Sequence, residues 1–373
     1  MVTICRTISI SLLVFAPCYL PLTASAATIN AASVAYQDVY NAVQAARDGD
    51  TVIVPAGTAS WTQTLYITQR IQLIGATTIM GDHNSVGSGG LSTMAANDQT
   101  IIVDSVPQPG GSSNQVAKLI QATIAPGSGA PGTAPLFRIS GITFQLDTNQ
   151  TWLPSATSAA ITLLTPATTI AASDNIRIDH CHWNQLRQKA LIVNGWLYPL
   201  IDHCIYDSSL QGPPNGTGGF KPANVLFASV SHPTWGSTTT QKQEIGNGSY
   251  AEASHWGGSQ FAFFEDDTVN NSDTNSNAVI TNAATDADNG ARYVFRYCIF
   301  KNTWVGQHGT ESGGYRGGRA MEMYTSTVTF TNVNLSGILR RSGTGLVWGN
   351  TVNAVYHNPH MMSLTCYLNT LGL

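Results

Sequence analysis

The sequence predicts an all-β solenoid of stacked parallel rungs, and three observations predict it. First, one short phrase recurs: an apolar residue, two polar or turn residues, a small residue, a variable position and a large apolar residue. It reads Ile178-Asp179-His180-Cys181-His182-Trp183, then Ile201-Asp202-His203-Cys204-Ile205-Tyr206, then Phe264-Glu265-Asp266-Asp267-Thr268-Val269 and Phe295-Arg296-Tyr297-Cys298-Ile299-Phe300. Weaker copies begin at Met323 and Val347. The Cys181 and Cys204 copies stand 23 residues apart, and self-similarity at a period of roughly 20–50 residues marks a repeat architecture. Second, Gly (35 residues), Ser, Thr and Asn are abundant, as where many short strands alternate with turns. Third, one helical segment precedes the strands, where a strand stack needs its exposed end covered.

Taken in order, residues 1–26 read as a secretory signal peptide. Arg6 supplies positive charge, 8–22 is mostly apolar, and Ala24-Ser25-Ala26 is a small-residue cleavage site before Ala27. The remainder, 27–373, is predicted to be one domain, exported, either extracellular or periplasmic. Residues 36–46 carry Val39, Tyr40, Ala42, Val43 and Ala46 at helical spacing, with Asp38 in the first turn and Gly49 just past the end. Short strands separated by Gly, Pro and polar residues follow within 51–57, 65–68 and 71–75. Residues 76–136 read as early rungs with long loops, including strands at 100–103 and 117–123. The repeat becomes regular at Phe137, and 207–260 reads as a second loop insertion. Residues 361–373 show no closing helix or polar cap.

Within each phrase the first apolar residue and the small residue lie an odd number of positions apart. A straight strand would place them on opposite faces; a corner at the polar pair returns both to the inside. Cys181, Cys204, Asp267, Cys298, Ser326 and Asn350 then form one inward ladder of small side chains. Export permits disulfides, and stacked rungs are close enough for a Cys181–Cys204 bond. Reduced cysteines packing as small hydrophobes are the favoured reading for this slot; Cys366 lies outside the repeat. These bent, stacked strands, with Gly49-Asp50-Thr51-Val52-Ile53-Val54-Pro55-Ala56-Gly57 after the leading helix, resemble the right-handed, pectate-lyase-like parallel β-helix superfamily. The resemblance spans most of 30–352 and implies fold more than activity.

Composition narrows the partners. The chain is 43% hydrophobic, 10% charged and carries net charge −4. That suffices for a large core and argues against disorder. Without a basic run, nucleic acid and anionic membrane surfaces are excluded. No stretch after the signal approaches the ~20 apolar residues of a membrane helix. A monomer is expected.

The densest polar cluster is 304–322: Trp304, His308, Glu311, Tyr315, Arg316, Arg319 and Glu322 among six glycines. Glycine lets backbone approach a ligand, arginine binds carboxylates bidentately, and His or Tyr moves protons. These are the needs of β-elimination on an acidic, uronate-containing polysaccharide. Arg316 and Arg319 are assigned to the substrate carboxylate, and His308 or Tyr315 to proton transfer. Glu311 and Glu322 are assigned to orienting these groups, binding a cation or meeting substrate, and Trp304 and Trp256 to stacking on sugar. Calcium at Glu265 and Asp266 would suit carboxylate ligation.

A hydrolase is the runner-up, since the paired Asp266-Asp267 is the residue type that glycoside hydrolysis requires. Polygalacturonase-like members of the superfamily carry Asp-Asp, Gly-His-Gly and Arg-x-Lys. Here Gln307-His308-Gly309 and Arg319-Ala320-Met321 match in part, and the ladder slot turns Asp267 inward. The third reading is a glycan-binding solenoid without catalysis. His180 and His203 should stack at one corner beside Asp179, Asp202 and His182. Stacked His and Asp could form a transition-metal site, but the spacing matches no standard zinc pattern, so the corner reads as a repeated structural preference exposed to solvent.

Overall fold

The computed structural model describes residues 25–83, 93–107, 118–127, 132–147, 159–166, 173–185, 189–208, 228–231, 256–271, 284–285, 287, 291–303, 305–306, 320–331, 338–340, 344–354 and 362–364. Its strands stack into parallel sheets. The first has ten strands, running from Thr28–Asn30 through Ser173–Asp179, Leu197–Asp202, Ala262–Glu265 and Arg292–Arg296 to Thr344–Trp348. The second has nine, from Gly57–Trp61 to Thr351–Ala354, and the third has five, from Leu65–Ile67 to Ala228–Ser231. The chain visits first, second and third sheet in turn and returns to the first one rung further along. This is a parallel β-helix, and right-handed as such crossovers are.

The register puts the repeated phrases on top of one another. Ile178 pairs with Ile201, Ile201 with Phe264, Phe264 with Phe295, Phe295 with Met323, and Met323 with Val347. All but Val347 are buried. The corner after them has one cause: the second residue of each polar pair is left-handed, with φ of 52° at His180, 54° at His203 and Asp266, 58° at Tyr297 and 51° at Thr325. A single left-handed residue bends the strand, so the next side chain points inward again. Cys181, Cys204, Asp267, Cys298 and Ser326 are accordingly buried. The three cysteines are thiols; Cys366 lies outside the described residues.

The ladder also solves a hydrogen-bonding problem. Where the slot holds a polar residue, it accepts an N–H from the rung before: Asp267 Oδ1 from Cys204 at 2.8 Å, Ser326 Oγ from Cys298 at 3.1 Å, Asn350 Oδ1 from Ser326 at 2.9 Å. Across the core, the second sheet stacks Phe144, Trp183 and Tyr206, with centroids 5.6 Å and 4.6 Å apart. Each such pair adds ~0.5–1.5 kcal/mol beyond its buried area.

The cap helix is Tyr36–Ala45, and Val39, Ala42 and Val43 face the core. Trp61 lies beneath its start, donating its indole N–H to the Val34 carbonyl at 3.0 Å. Arg70, also buried, donates to the carbonyls of Ala125, Pro135 and Asp174 and so ties neighbouring rungs together.

Two features differ from the sequence expectation. Within 76–136, Thr78–Met80 and Ala95–Asn97 form an antiparallel hairpin instead of rungs. Ile79 and Met94 pack on Ile205, over the outside of the second sheet. Within 207–260, Ala228–Ser231 is a third-sheet strand paired with Lys189–Asn194. Both were hidden for the same reason: strands of three or four residues are too short to show an alternation of their own and acquire their register only from a partner.

Candidate functional site

The outer face of the first sheet carries a column of charge. Arg138 clamps Asp179 through two hydrogen bonds of 2.6 and 2.5 Å. Arg177 clamps Asp202 in the same way, at 2.8 and 2.7 Å. Further along, Arg296 pairs with Glu265, lies over the Phe263 ring at 5.3 Å, and donates to the Tyr324 hydroxyl at 3.2 Å. The column ends in a stacked pair, Tyr324 and Trp348, with centroids 5.1 Å apart. Trp348 is 54% exposed. Strand alternation places all these side chains outward while Ile178, Ile201, Phe264 and Phe295 point inward.

Beside this column, at the left-handed corner, His180 and His203 stack with centroids 5.1 Å apart and planes 1° from parallel. The corner expected from the repeat is therefore present. Each ring is held by the residue before it: His180 Nδ1 to Asp179 and His203 Nδ1 to Asp202, both at 2.8 Å. Burial opposes ionisation of Asp179, but the Arg138 and His180 hydrogen bonds outweigh it and hold that carboxyl well below its usual range. The Asp202 bond raises the pKa of His203.

His203 also meets two carboxylates. One ring nitrogen of His203 and one oxygen each from Asp82 and Asp266 lie within 4.8 Å of one another, a group able to hold a metal ion. Burial and the neighbouring Asp82 push the Asp266 carboxyl up to about 7. Glu265, the other residue assigned to calcium from sequence, is not in this group; it is held by Arg296 on the sheet face. Asp82 was missed because it belongs to the hairpin segment, more than a hundred residues from its neighbours.

Asp266 and Asp267 do not act as a pair. Asp266 sits at the corner, whereas Asp267 is 1% exposed in the inward ladder. The wall of the solenoid separates them, so both cannot face one glycosidic bond. Burial raises the Asp267 pKa well above its ordinary value, which favours the protonated carboxyl.

Of the 304–322 cluster, Trp304, His308, Glu311, Tyr315, Arg316 and Arg319 lie outside the described residues. Their flanks are described: Val305–Gly306 before, and Ala320–Tyr324 of the first sheet after. Glu322 is 2% exposed and accepts the Gly257 N–H at 2.8 Å. Trp256, beside that turn, lies against Phe261 at 6.4 Å and packs on a cluster with Val294 and Ala320. Glu322 and Trp256 thus come together, with Glu322 anchoring the turn that carries Trp256.

On the second sheet, His182 lies between Asp98 of the hairpin segment (Nδ1, 2.8 Å) and Asp207 (Nε2, 3.0 Å). Burial disfavours its charge, yet the two carboxylates outweigh burial and raise its pKa.

No family model matches the chain, and no curated protein matches it. Among solved structures it is similar to the pectin methylesterase of Aspergillus niger, at 9% identity over 89% of this chain and 85% of that one, with a TM-score of 0.44. It is similar to an alginate lyase from Paenibacillus sp. str. FPU-7, at 11% identity over 90% and 98%, with a TM-score of 0.40. A family 28 exopolygalacturonase of Yersinia enterocolitica aligns at 11% identity over 91% and 68%, with a TM-score of 0.28.

Proposed function

We propose that this chain is a secreted polysaccharide-active β-helix, and that it is a lyase cleaving an acidic glycan by β-elimination. One observation carries the reading: the outer face of the first sheet is a straight track, lined by Arg138, Arg177 and Arg296 and ending in the exposed Tyr324–Trp348 pair. Guanidiniums in a row suit a chain of carboxylates and hydroxyls. Each has five N–H donors, and the paired carboxylates occupy only some of them. A stacked aromatic pair with one face in solvent suits a sugar ring.

Elimination removes the proton beside the uronate carboxylate, forms a carbon–carbon double bond and expels the glycosidic oxygen, which takes a proton. In this reading Arg316 and Arg319 neutralise the carboxylate, and His308 or Tyr315 moves the protons. The segment holding them leads straight into the strand Ala320–Tyr324, and so into the track. Glu322 anchors the Trp256 turn beside it. Binding without cleavage is the second reading, favoured by the aromatic pair alone.

The test incubates the protein with a panel of uronate polysaccharides and follows the ultraviolet absorbance of unsaturated ends. Growth of that absorbance is expected, and its loss in Arg319→Ala with circular dichroism unchanged. Reducing ends without absorbance would mean hydrolysis. Neither signal, with retention on a polysaccharide affinity gel, would leave a binding solenoid and overturn the lyase reading.

A further inference from the structure

We propose that Asp82, His203 and Asp266 form a binding site for a first-row divalent transition metal, which pins the hairpin segment to the solenoid corner. The inference is independent of the glycan track.

The solenoid contributes two of the ligands from adjacent rungs. His203 and Asp266 both occupy the left-handed corner position, and the residues before them, Asp202 and Glu265, are paired in register. Consecutive corner side chains therefore stack at about the 4.8 Å spacing of neighbouring strands. The third ligand arrives from outside. Gly81 turns the chain after Thr78–Met80 with φ +96°, where a Cβ would meet the Thr93 carbonyl oxygen at 2.6 Å. His83, 4% exposed, then locks the segment down through Nε2 and the Thr268 hydroxyl at 2.7 Å. Asp82, between these two fixed residues, is delivered to the corner.

Two further observations point to a ligand rather than to a chance cluster. Asp266 is 4% exposed, yet its Oδ1 has no hydrogen-bond partner among the described residues. A buried carboxylate oxygen left unpaired is costly, and a cation would satisfy it. In addition, His203 already has the support that metal-bound histidines have. Its Nδ1 is held by Asp202 at 2.8 Å, and Asp202 is itself clamped by Arg177. That leaves Nε2 for a metal, in the carboxylate–histidine–metal arrangement that fixes tautomer and ring orientation.

The donor set selects the metal class. One imidazole with two carboxylates suits Zn2+ and its first-row neighbours. Calcium takes six to eight oxygens and has no use for the imidazole. Two carboxylates also balance a dication, with His203 neutral.

The test uses the full chain freed of metal by a chelator, titrated calorimetrically with ZnCl2 and, separately, with CaCl2. His203→Asn and Asp266→Asn are the variants, because asparagine tolerates the left-handed backbone both positions require. The expected result is one equivalent of zinc that both variants lose, or bind at least tenfold more weakly, with circular dichroism unchanged. Zinc should also raise the hydrogen-exchange protection of residues 78–83 in the native chain and not in the variants. Absence of zinc binding by the native chain, or retention of the full stoichiometry by both variants, would overturn the site. Calcium binding that both variants abolish, without a zinc counterpart, would overturn the assignment to a transition metal.

Discussion

His182 is the sharpest point at which pH should act on this fold. It connects the hairpin segment, through Asp98, to the second sheet, through Asp207. Asp98 also accepts the Thr143 hydroxyl at 2.6 Å, and Asp207 accepts the Asn270 amide at 2.9 Å, so neither carboxylate depends on His182 alone. Removing one partner of a fully buried ion pair costs ~3–5 kcal/mol. Here the His182 side chain is 8% exposed, but Asp98 and Asp207 are 27% and 35% exposed. Water relieves the orphaned carboxylates, so His182→Gln should cost about 2 kcal/mol at pH 6, below the buried-pair range. That is a rise of roughly 30-fold in the opening equilibrium of the hairpin. The folded state raises the His182 pKa above 6.5. The stabilisation is therefore complete below pH ~6.5 and is lost as pH climbs through the folded pKa. Near pH 9 the penalty of the substitution should fall below ~1 kcal/mol, the worth of an ordinary neutral hydrogen bond. Native-state hydrogen exchange of the strands Thr78–Met80 and Ala95–Asn97, corrected for intrinsic rates, reads this local opening. An equal penalty at pH 6 and pH 9 would refute a cationic His182. Unchanged protection of the hairpin alongside loosening elsewhere would refute its role as the hairpin's tie.

Three other substitutions test the scaffold and the track. Gly75→Ala should destabilise by ~3 kcal/mol or more in a thermal melt, because its Cβ would stand 2.2 Å from the Gly141 carbonyl oxygen, which is backbone, and 2.8 Å from Cγ1 of the buried Ile142. Asp267→Asn should leave the melting temperature within a few degrees, since amide and neutral acid both accept the Cys204 N–H, whereas Asp267→Leu should lose ~1–3 kcal/mol by orphaning that donor; collapse of the Asn variant would mean that the carboxyl is needed ionised. Trp348→Ala should weaken retention on an acidic polysaccharide gel about tenfold, the worth of ~1–1.5 kcal/mol for one aromatic contact, without shifting the melting temperature by more than a few degrees, because Trp348 is exposed.

The repeated phrase made the scaffold legible because everything it reports is local. Two-residue alternation says which side chain faces in, and a polar pair between two inward positions says where the strand bends. Hence the ladder from Cys181 to Asn350, the inward Asp267 and the stacked His180 and His203 follow from the chain alone. The site was less legible. Composition drew the eye to 304–322, of which most lies outside the described residues; Glu322 meets the Trp256 turn, and the other groups that the described residues bring together lie elsewhere. The arginine column was invisible because Arg138, Asp179, Arg177 and Asp202 become partners only when successive rungs stack.

What the sequence by itself determined is the cross-section of the solenoid: period, corner, inward slot and capping helix, each set by steric rules acting over a few residues. What only the tertiary structure decided is which residues meet across long stretches of chain. Asp82 reaches His203 and Asp266, and Asp98 reaches His182, because a hairpin between early rungs folds back over later ones. No local pattern encodes that contact. It depends on apolar Ile79 and Met94 finding the outward-facing Ile205, a burial that exists only after the rungs have stacked.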